Sequence, residues 1–487
     1  MRTPDEYLAS IRDGREVWFR GEKVGDVTAH PELGVGARNI AQTYEVEARP
    51  EWADLFWVEE DGRRISRFYK IPRNSDDLLR RHEAIEHLTR EVRPSLAVIS
   101  KEIGSDALFA LLITSRDVDR KYGTRYFERV RAYYEYARDN ELDLAVAQTD
   151  VKGDRALRPA DQPNPDAYVR IVERRPDGIV VRGAKIHTTD AVYAHEVIVL
   201  PTRAMTERDQ DYAVAFAVPV NTPGIRLVAS ARGFTGQTPF DSPIAHRFRV
   251  VESVTVFDNV FVPNDRVFLA GEWDFAGDVA KTFVEFHRFT ACAYKPPLLE
   301  ALVGLGALLA EYNGIERVPH VRDKLARLIM YLATVRGMTR AAALDCRLRN
   351  DIAVPNPVVT NAAKFYFADN YHAAVKYVQD IAGGLVATGP AAEDFNSPEL
   401  KPVLDRYLAG KAGVSGEERL RAMNLARDLV ASDLGGYLEI LAIHAEGSLE
   451  AQKLTVLMDT DLAPLKAYTR WLAGISAERP AGRPFAV

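Results

Sequence analysis

The chain has 487 residues, enough for about three domains of ordinary size, with 63 Lys+Arg against 69 Asp+Glu, a formal charge of −6 and a pI near 6.0. That balance excludes a nucleic-acid-binding footprint, which shows a strongly basic domain or stripe. The 47% of hydrophobic residues supplies a core, while only two cysteines, Cys292 and Cys346, exclude a disulfide scaffold, a zinc ribbon and an all-cysteine iron–sulfur cluster.

The start, Met1-Arg-Thr-Pro-Asp-Glu-Tyr, turns charged before any apolar stretch, so no secretory leader is expected. The longest apolar run, Ala301 to Ala310, is far short of the ~20 residues of a membrane helix. Together these predict a cytoplasmic protein. Along the first third, Asp76 to Val92 and Arg125 to Asn140 carry apolar residues at helical spacing, punctuated by turns at Pro50, Pro72 and Pro94. After about Asp143 the texture changes. Short β-forming runs appear at Tyr168–Val172, Ile179–Val181, Glu196–Leu200, Tyr212–Val220 and Val254–Val262, separated by turn clusters such as Arg175-Pro-Asp-Gly. Their spacing predicts a small barrel or sandwich.

From about Asp278 the helical period returns: Val279–Tyr312, Val321–Arg349, Val358–Ile381, Ser415–Leu434 and Glu450–Leu472 predict a bundle. The expected organisation is mainly α with a central β-barrel domain: an N-terminal helical domain over 1–143, a β-barrel domain over 144–276 and a C-terminal helical bundle over 277–487.

Chemistry-bearing residues are sparse. His287 and Cys292 lack the further ligands a metal needs, and both thiols read as buried small hydrophobes. Neither a GxSxG elbow nor a P-loop occurs. Val181-Arg-Gly-Ala-Lys-Ile-His-Thr-Thr ends at Thr189 with hydroxyls that suit a polar heterocycle such as a flavin, and equally a surface strand rich in Thr. Gln148-Thr-Asp-Val-Lys-Gly-Asp-Arg is either a solvated loop or a turn whose N–H groups, with Lys152 and Arg155, hold a phosphate or flavin edge. Gly383-Gly384 closes a helix as a C-cap or allows close approach of a ligand.

These segments resemble one family. Asp5-Glu-Tyr-Leu, Gly14-Arg-Glu-Val, Gly21-Glu-Lys-Val-Gly-Asp-Val-Thr, Gly183-Ala-Lys, Phe257-Asp-Asn-Val-Phe-Val-Pro and the Arg406-Tyr to Gly447-Ser region are similar to the 4-hydroxyphenylacetate 3-monooxygenase family. Its sister branch, 4-hydroxybutyryl-CoA dehydratase, resembles the chain still more closely at Lys121-Tyr-Gly-Thr, Asp150-Val-Lys-Gly-Asp-Arg, Gly178 to Thr189, Met205-Thr-Glu-Arg-Asp-Gln-Asp, Val262-Pro-Asn-Asp-Arg and Asp380-Ile-Ala-Gly-Gly-Leu.

The resemblance implies an acyl-CoA-dehydrogenase-like fold, a homotetramer built as a dimer of dimers, and FAD. It places flavin contacts on Val146, Ala147, Gln148, Lys152, Gly153, Asp154, Arg155, Thr189, Gly383, Gly384, Glu446 and Gly447. Glu252 matches an active-site carboxylate of the dehydratase branch, or is simply a surface Glu on a strand. His287 matches the histidine ligand of that branch's [4Fe-4S] cluster, but the three cysteine positions fall on Val98, Glu102 and Tyr294. One histidine cannot build a cluster. The hydroxylase branch's Arg-x-x-x-Tyr pair and histidine fall near Val98, Glu102 and Val146, with Lys101 or Arg93 able to substitute.

The expected catalytic residues are therefore His287, Glu252 and Glu102, the substrate contacts Lys101, Thr202 and Tyr294, and no metal is expected. The expected activity is that of a two-component monooxygenase. It uses FADH2 from a separate NAD(P)H:flavin reductase, with O2, to oxygenate a small aromatic or heteroaromatic substrate through a flavin C4a-(hydro)peroxide. The alternatives are a CoA-thioester isomerase or dehydratase-like enzyme without a cluster, and a flavin-binding protein without catalysis.

Overall fold

The computed structural model describes residues 1–60, 62–92, 101–231 and 238–479. Val98 and Arg93 lie outside them. Counting helices of ten residues or more, the first third contributes α1 (Leu33–Ala48), α2 (Ser75–Val92), α3 (Lys101–Tyr122) and α4 (Tyr126–Asp139). The first fifteen residues of α3 are all buried, charged ones included, so this helix runs through the core rather than over it.

Strands were not expected here, yet β1 (Val17–Phe19), β2 (Glu22–Val24), β3 (Trp57–Glu60) and β4 (Arg63–Ser66) are present. Runs of three or four residues are too short to show a period of two.

The central region adds β5 (Leu144–Ala147), β6 (Arg170–Arg175), β7 (Gly178–Thr189), β8 (Glu196–Val199), β9 (Val214–Pro219), β10 (Ile225–Ala229), β11 (Glu252–Pro263) and β12 (Val267–Ala270). Among the described residues these strands form two open sheets, where a barrel was expected. One sheet is ordered β2-β1-β10-β11-β7-β6 and the other β12-β9-β8-β5. Residues 17–24 thus leave the helical unit and complete the larger sheet, β1 pairing parallel with β10. The long β7–β11 pair brings Thr189 opposite Glu252 at one end.

The C-terminal part is helical: α5 (Ala276–Tyr312), α6 (Pro319–Leu344), α7 (Pro357–Ala382), α8 (Gly416–Val430), α9 (Asp433–His444), α10 (Leu449–Asp459) and α11 (Ala463–Leu472). Three expected helices are shorter. The segment read through Arg349 ends at Leu344, because Arg347–Arg349 pairs as a hairpin with Ile352–Val354. The segment 415–434 breaks where Ser432 caps α9, accepting from the N–H groups of Leu434 and Gly435. The segment 450–472 breaks at Thr460, with Pro464 opening the next helix.

Among the described residues only α5 is long and apolar enough to cross a membrane by length and composition, and most of its apolar stretch is buried inside the protein. Pro296 and Pro297 sit within it and remove two helical N–H donors, which frees the carbonyls of Cys292 and Ala293.

Candidate functional site

Five segments converge: α3, α5, α7, the β7–β11 end and the Glu446–Gly447 turn beyond α9. The turn is backbone-strained, since Glu446 stands at φ 57 and Gly447 at φ 102. Arg288 of α5 holds it. Its Nε donates to the Glu446 carbonyl at 2.8 Å and its Nη1 to Asn361 Oδ1 at 2.6 Å. A Cβ on residue 447 would sit 2.7 Å from Arg288 Nη2, so glycine leaves room for the guanidinium.

The Glu446 carboxylate is saturated from the helices. Tyr294 donates its hydroxyl to Oε1. Lys295 Nζ lies 3.1 Å from Oε2 and Lys364 Nζ 3.6 Å from it, the latter also donating to the Ala442 carbonyl at 2.9 Å. Burial alone would lift this carboxyl, but the two ammonium groups override it and hold Glu446 at about 2. Burial draws the Lys364 ammonium down to about 8 against the pull of Glu446. The Tyr294 phenol, buried and facing a carboxylate, is pushed well above its ordinary value.

Glu252 behaves in the opposite way. Thr189 Oγ1 donates to its carboxylate at 3.0 Å and the Tyr437 hydroxyl at 3.2 Å. Among the described residues no cation pairs with it, and burial, helped by the nearby Asp190 carboxylate, pushes it up to about 7 despite those two hydrogen bonds.

His287 stacks on Phe283 with ring centroids 5.1 Å apart, and its Nδ1 lies 3.8 Å from Asp106 Oδ2. Glu102 is fully buried in the first turn of α3, its carbonyl accepting from Arg81 at 2.9 Å. His287, Glu252, Tyr294 and Glu446 are thus brought together. Asp106, Arg288, Lys295, Lys364 and Tyr437 join them without having been expected.

The expected flavin turns lie beside this cluster. Val146 and Ala147 are buried in β5. The Gln148 carbonyl accepts from Thr202 Oγ1 at 2.5 Å and from Lys185 Nζ at 2.8 Å, while its side chain reaches the Ala280 carbonyl of α5 at 3.4 Å. Lys185, buried with Asp150, was not expected and fixes this turn from below.

Lys152, Gly153, Asp154 and Arg155 are exposed, with Lys152 at φ 76 and Gly153 at φ 53. Gln162 ties the loop by accepting from Asp154 N at 3.0 Å, and a Cβ on residue 153 would meet that Gln162 oxygen at 2.3 Å. The hydroxyl of Thr189, the amide of Gln148, an exposed turn held in left-handed backbone at Lys152 and Gly153, and the strained Glu446–Gly447 turn together fit a flavin.

Two expectations land elsewhere. Lys101 is buried and its ammonium is engaged by Glu47, at 3.0 and 2.9 Å from the two oxygens, under the ring of Tyr44. Gly383 caps α7 at φ 78, and both Gly383 and Gly384 face open space, some 19 residues beyond Lys364 or ~28 Å along the helix. A groove of about 550 Å³ opens on β6 and β7, lined by Arg170, Arg175, Arg182 and Phe261, and contains none of the site residues.

For a [4Fe-4S] cluster the donor set does not suit. Of the three positions that the resemblance assigns to thiolates, Val98 lies outside the described residues and the other two are Glu102 and Tyr294, the latter bound to Glu446. Cys292 directs its sulfur to the Thr360 carbonyl, and burial pushes its thiol up to about 11. Among the described residues no group of three His, Cys, Asp or Glu side chains is arranged to hold a metal.

Against known proteins, residues 3–269 match the N-terminal and residues 276–474 the C-terminal sequence profile of 4-hydroxyphenylacetate 3-hydroxylase. The chain is 32% identical to 4-hydroxybutyryl-CoA dehydratase/vinylacetyl-CoA-Δ-isomerase of Clostridium aminobutyricum, covering 98% of this chain and 100% of that protein. It is 30% identical to the oxygenase component of 4-hydroxyphenylacetate 3-monooxygenase of Thermus thermophilus, over 90% of each chain. The solved oxygenase component of 4-hydroxyphenylacetate 3-monooxygenase complexed with FAD superposes with a TM-score of 0.90 at 29% identity, covering 98% of this chain and 99% of that one.

Proposed function

The chain belongs to the 4-hydroxyphenylacetate 3-hydroxylase family, and on that premise we propose that it is the oxygenase component of a two-component, reduced-flavin-dependent monooxygenase acting on a small aromatic or heteroaromatic substrate. The observation that carries this reading is the Tyr294–Glu446 hydrogen bond. By the resemblance Tyr294 stands where the dehydratase branch needs a thiolate, and this bond engages its hydroxyl; the segments around Gln148, Lys152–Arg155 and Thr189 support the reading as proposed flavin contacts.

FAD, when bound in its reduced form, would supply the activation of O2. Gln148, Thr189, the Lys152–Arg155 loop and the Glu446–Gly447 turn would hold it. The protein's own groups do the rest. Glu252, near 7, takes or returns a proton at its carboxylate, and Thr189 and Tyr437 fix where that carboxylate points. Glu446, permanently ionised, fixes Tyr294 and the two lysines as a wall of the cavity. His287 offers a second proton-handling group beside them.

A separate NAD(P)H:flavin reductase and O2 complete the proposal, in keeping with relatives named as oxygenase components. So does a homotetramer. Helix α11 buries no residue of its own, and Leu454, Leu457, Met458 and Leu472 are exposed on the last two helices, an apolar face suited to a second copy.

The test is single-turnover incubation with reduced FAD and 18O2 over a panel of phenols and hydroxylated heterocycles. Incorporation of one labelled oxygen into product is expected. A second reading, a redox-neutral isomerase of a butenoyl-CoA thioester, is favoured by Glu252 itself, a carboxyl poised near 7 with no cation beside it among the described residues. Interconversion of vinylacetyl-CoA and crotonyl-CoA, with no label incorporated from any phenol, would replace the first reading by the second. His287→Ala is expected to abolish turnover in either case, and unchanged turnover removes His287 from the site.

A further inference from the structure

Two buried atoms face each other across the junction of α3 and α5. Asp106 is fully buried. Its Oδ1 accepts from Arg81 Nη2 at 2.7 Å, while its Oδ2 lies 3.8 Å from His287 Nδ1. Among the described residues neither Oδ2 nor Nδ1 has a hydrogen-bond partner.

Arg81 is itself locked. Its guanidinium also donates to the Phe68 carbonyl at 2.7 Å, the Glu102 carbonyl at 2.9 Å and Ser105 Oγ at 2.9 Å. The imidazole is held flat against Phe283, the two ring planes only 10° apart. A buried carboxylate oxygen with a spare lone pair and a buried ring nitrogen with a free valence complete each other when the contact shortens by ~0.8 Å to hydrogen-bond length. Such contacts are commonly long before substrate binds.

We propose that Asp106 is the positioning residue of His287. It accepts a hydrogen bond from Nδ1–H and so fixes the neutral imidazole in the tautomer whose Nε2 carries the free lone pair, available to take a proton from substrate. This rests on the reading of His287 as a proton-handling group, and holds for either the oxygenase or the isomerase. It also explains why a fully buried aspartate is clamped on one oxygen only: the guanidinium fixes the carboxylate plane, and the other oxygen is left for the ring. A histidine serving a metal through a ring nitrogen would have that lone pair spent. Here the elements around it leave the lone pair unspent.

The substitution Asp106→Asn gives a sharp expectation. A guanidinium has only donors, so the Asn carbonyl must stay on Arg81 and the amide NH2 turns toward His287. Nδ1 then becomes an acceptor and the proton moves to Nε2. A merely structural aspartate predicts no such exchange.

The experiment is nitrogen NMR of the full-length protein labelled with 15N-histidine at about pH 8.5, well above the ordinary imidazole value. The His287 signal is identified by its loss in His287→Gln. The native protein is expected to show His287 protonated at Nδ1 and bare at Nε2, and Asp106→Asn to show the reverse, with turnover falling on the order of 10²-fold or more at little changed KM.

A native His287 carrying its proton on Nε2 overturns the proposal without any variant having to fold. An unchanged tautomer in Asp106→Asn overturns it as well, and so does full turnover in a variant whose tautomer has switched. Failure of the labelled-oxygen experiment leaves the native tautomer untouched, so the two ideas fail separately.

Discussion

The two sides of the site treat a glutamate in opposite ways. On the helical side Glu446 is pinned between Lys295 and Lys364 and lies at about 2; on the sheet side Glu252, among the described residues, is hydrogen-bonded by hydroxyls and faces the Asp190 carboxylate rather than a cation, and lies near 7. Burial acts on both carboxyls in the same direction. What separates them is whether a cation is within reach. Pairs of carboxyls driven apart by their surroundings mark a division of labour between fixed charge and movable proton. The fixed charge belongs to Glu446 and the movable proton to Glu252.

The comparison breaks most visibly at Glu446. Glu446→Gln leaves two buried ammonium groups without their counter-charge and is expected to cost about 3–5 kcal/mol of stability, read as a lowered denaturation midpoint. A stability loss below about 1 kcal/mol would mean that the wall is not charged.

Glu252→Gln is expected to do the reverse. Turnover falls on the order of 10²-fold, while the midpoint stays put or rises, because a carboxyl whose charged form is penalised by burial is removed.

The pH dependence sharpens the contrast further. Glu446 contributes stability that is fully present above the ordinary carboxyl value of 4.5 and is lost as pH falls from there toward 2. Glu252 gives the opposite slope, its folded form binding the proton more tightly than the unfolded chain, so stability falls as pH rises from 4.5 to about 7. Urea midpoints of the native protein and both Gln variants across that range should separate the two slopes.

The smallest expected effect is at Tyr437→Phe. Removing its hydrogen bond to Glu252 costs about 0.5–1.5 kcal/mol and moves the Glu252 titration upward, visible as a basic shift in the pH–rate curve.

The order of helices, strands and bundle could be read from the sequence because its segments are long enough for a period to show. The hairpins of the first third could not, being three or four residues per strand. The site was half legible. Glu252, His287, Tyr294 and Glu446 were reached by position within a resemblance, whereas nothing local marks their partners. Tyr437 meets Glu252 across 185 residues of chain and Lys295 meets Glu446 across 151.

One signal was available. Lys364 is the one charged residue among the buried positions of its helix, and Lys295 is buried on a helix that also buries Glu285 and Arg288; a buried ammonium persists only if paired. Lys101 shows the limit of that signal, since its partner Glu47 makes it a tie between helices away from the chemistry. Among the described residues the expected barrel is replaced by two open sheets, for a different reason. Strand runs reveal how many strands there are, but not whether the first and last of them meet.

The short strand β1 sets a timetable for assembly. During synthesis it emerges early, yet the neighbour it runs parallel to, β10, lies 210 residues further along, as the Glu16–Arg226 contact beside the pair measures. Until that length has left the ribosome, the larger sheet has an unclosed edge on one side and a stretch of helices waiting on the other. Pairings so distant in sequence close late and slowly. A chain growing at about 5–20 residues per second would hold that edge open for at least ten seconds or so. The amino-terminal strand is therefore a late-closing edge only two strands away from Glu252, since Trp18 pairs with Val228 and Val228 with Val254.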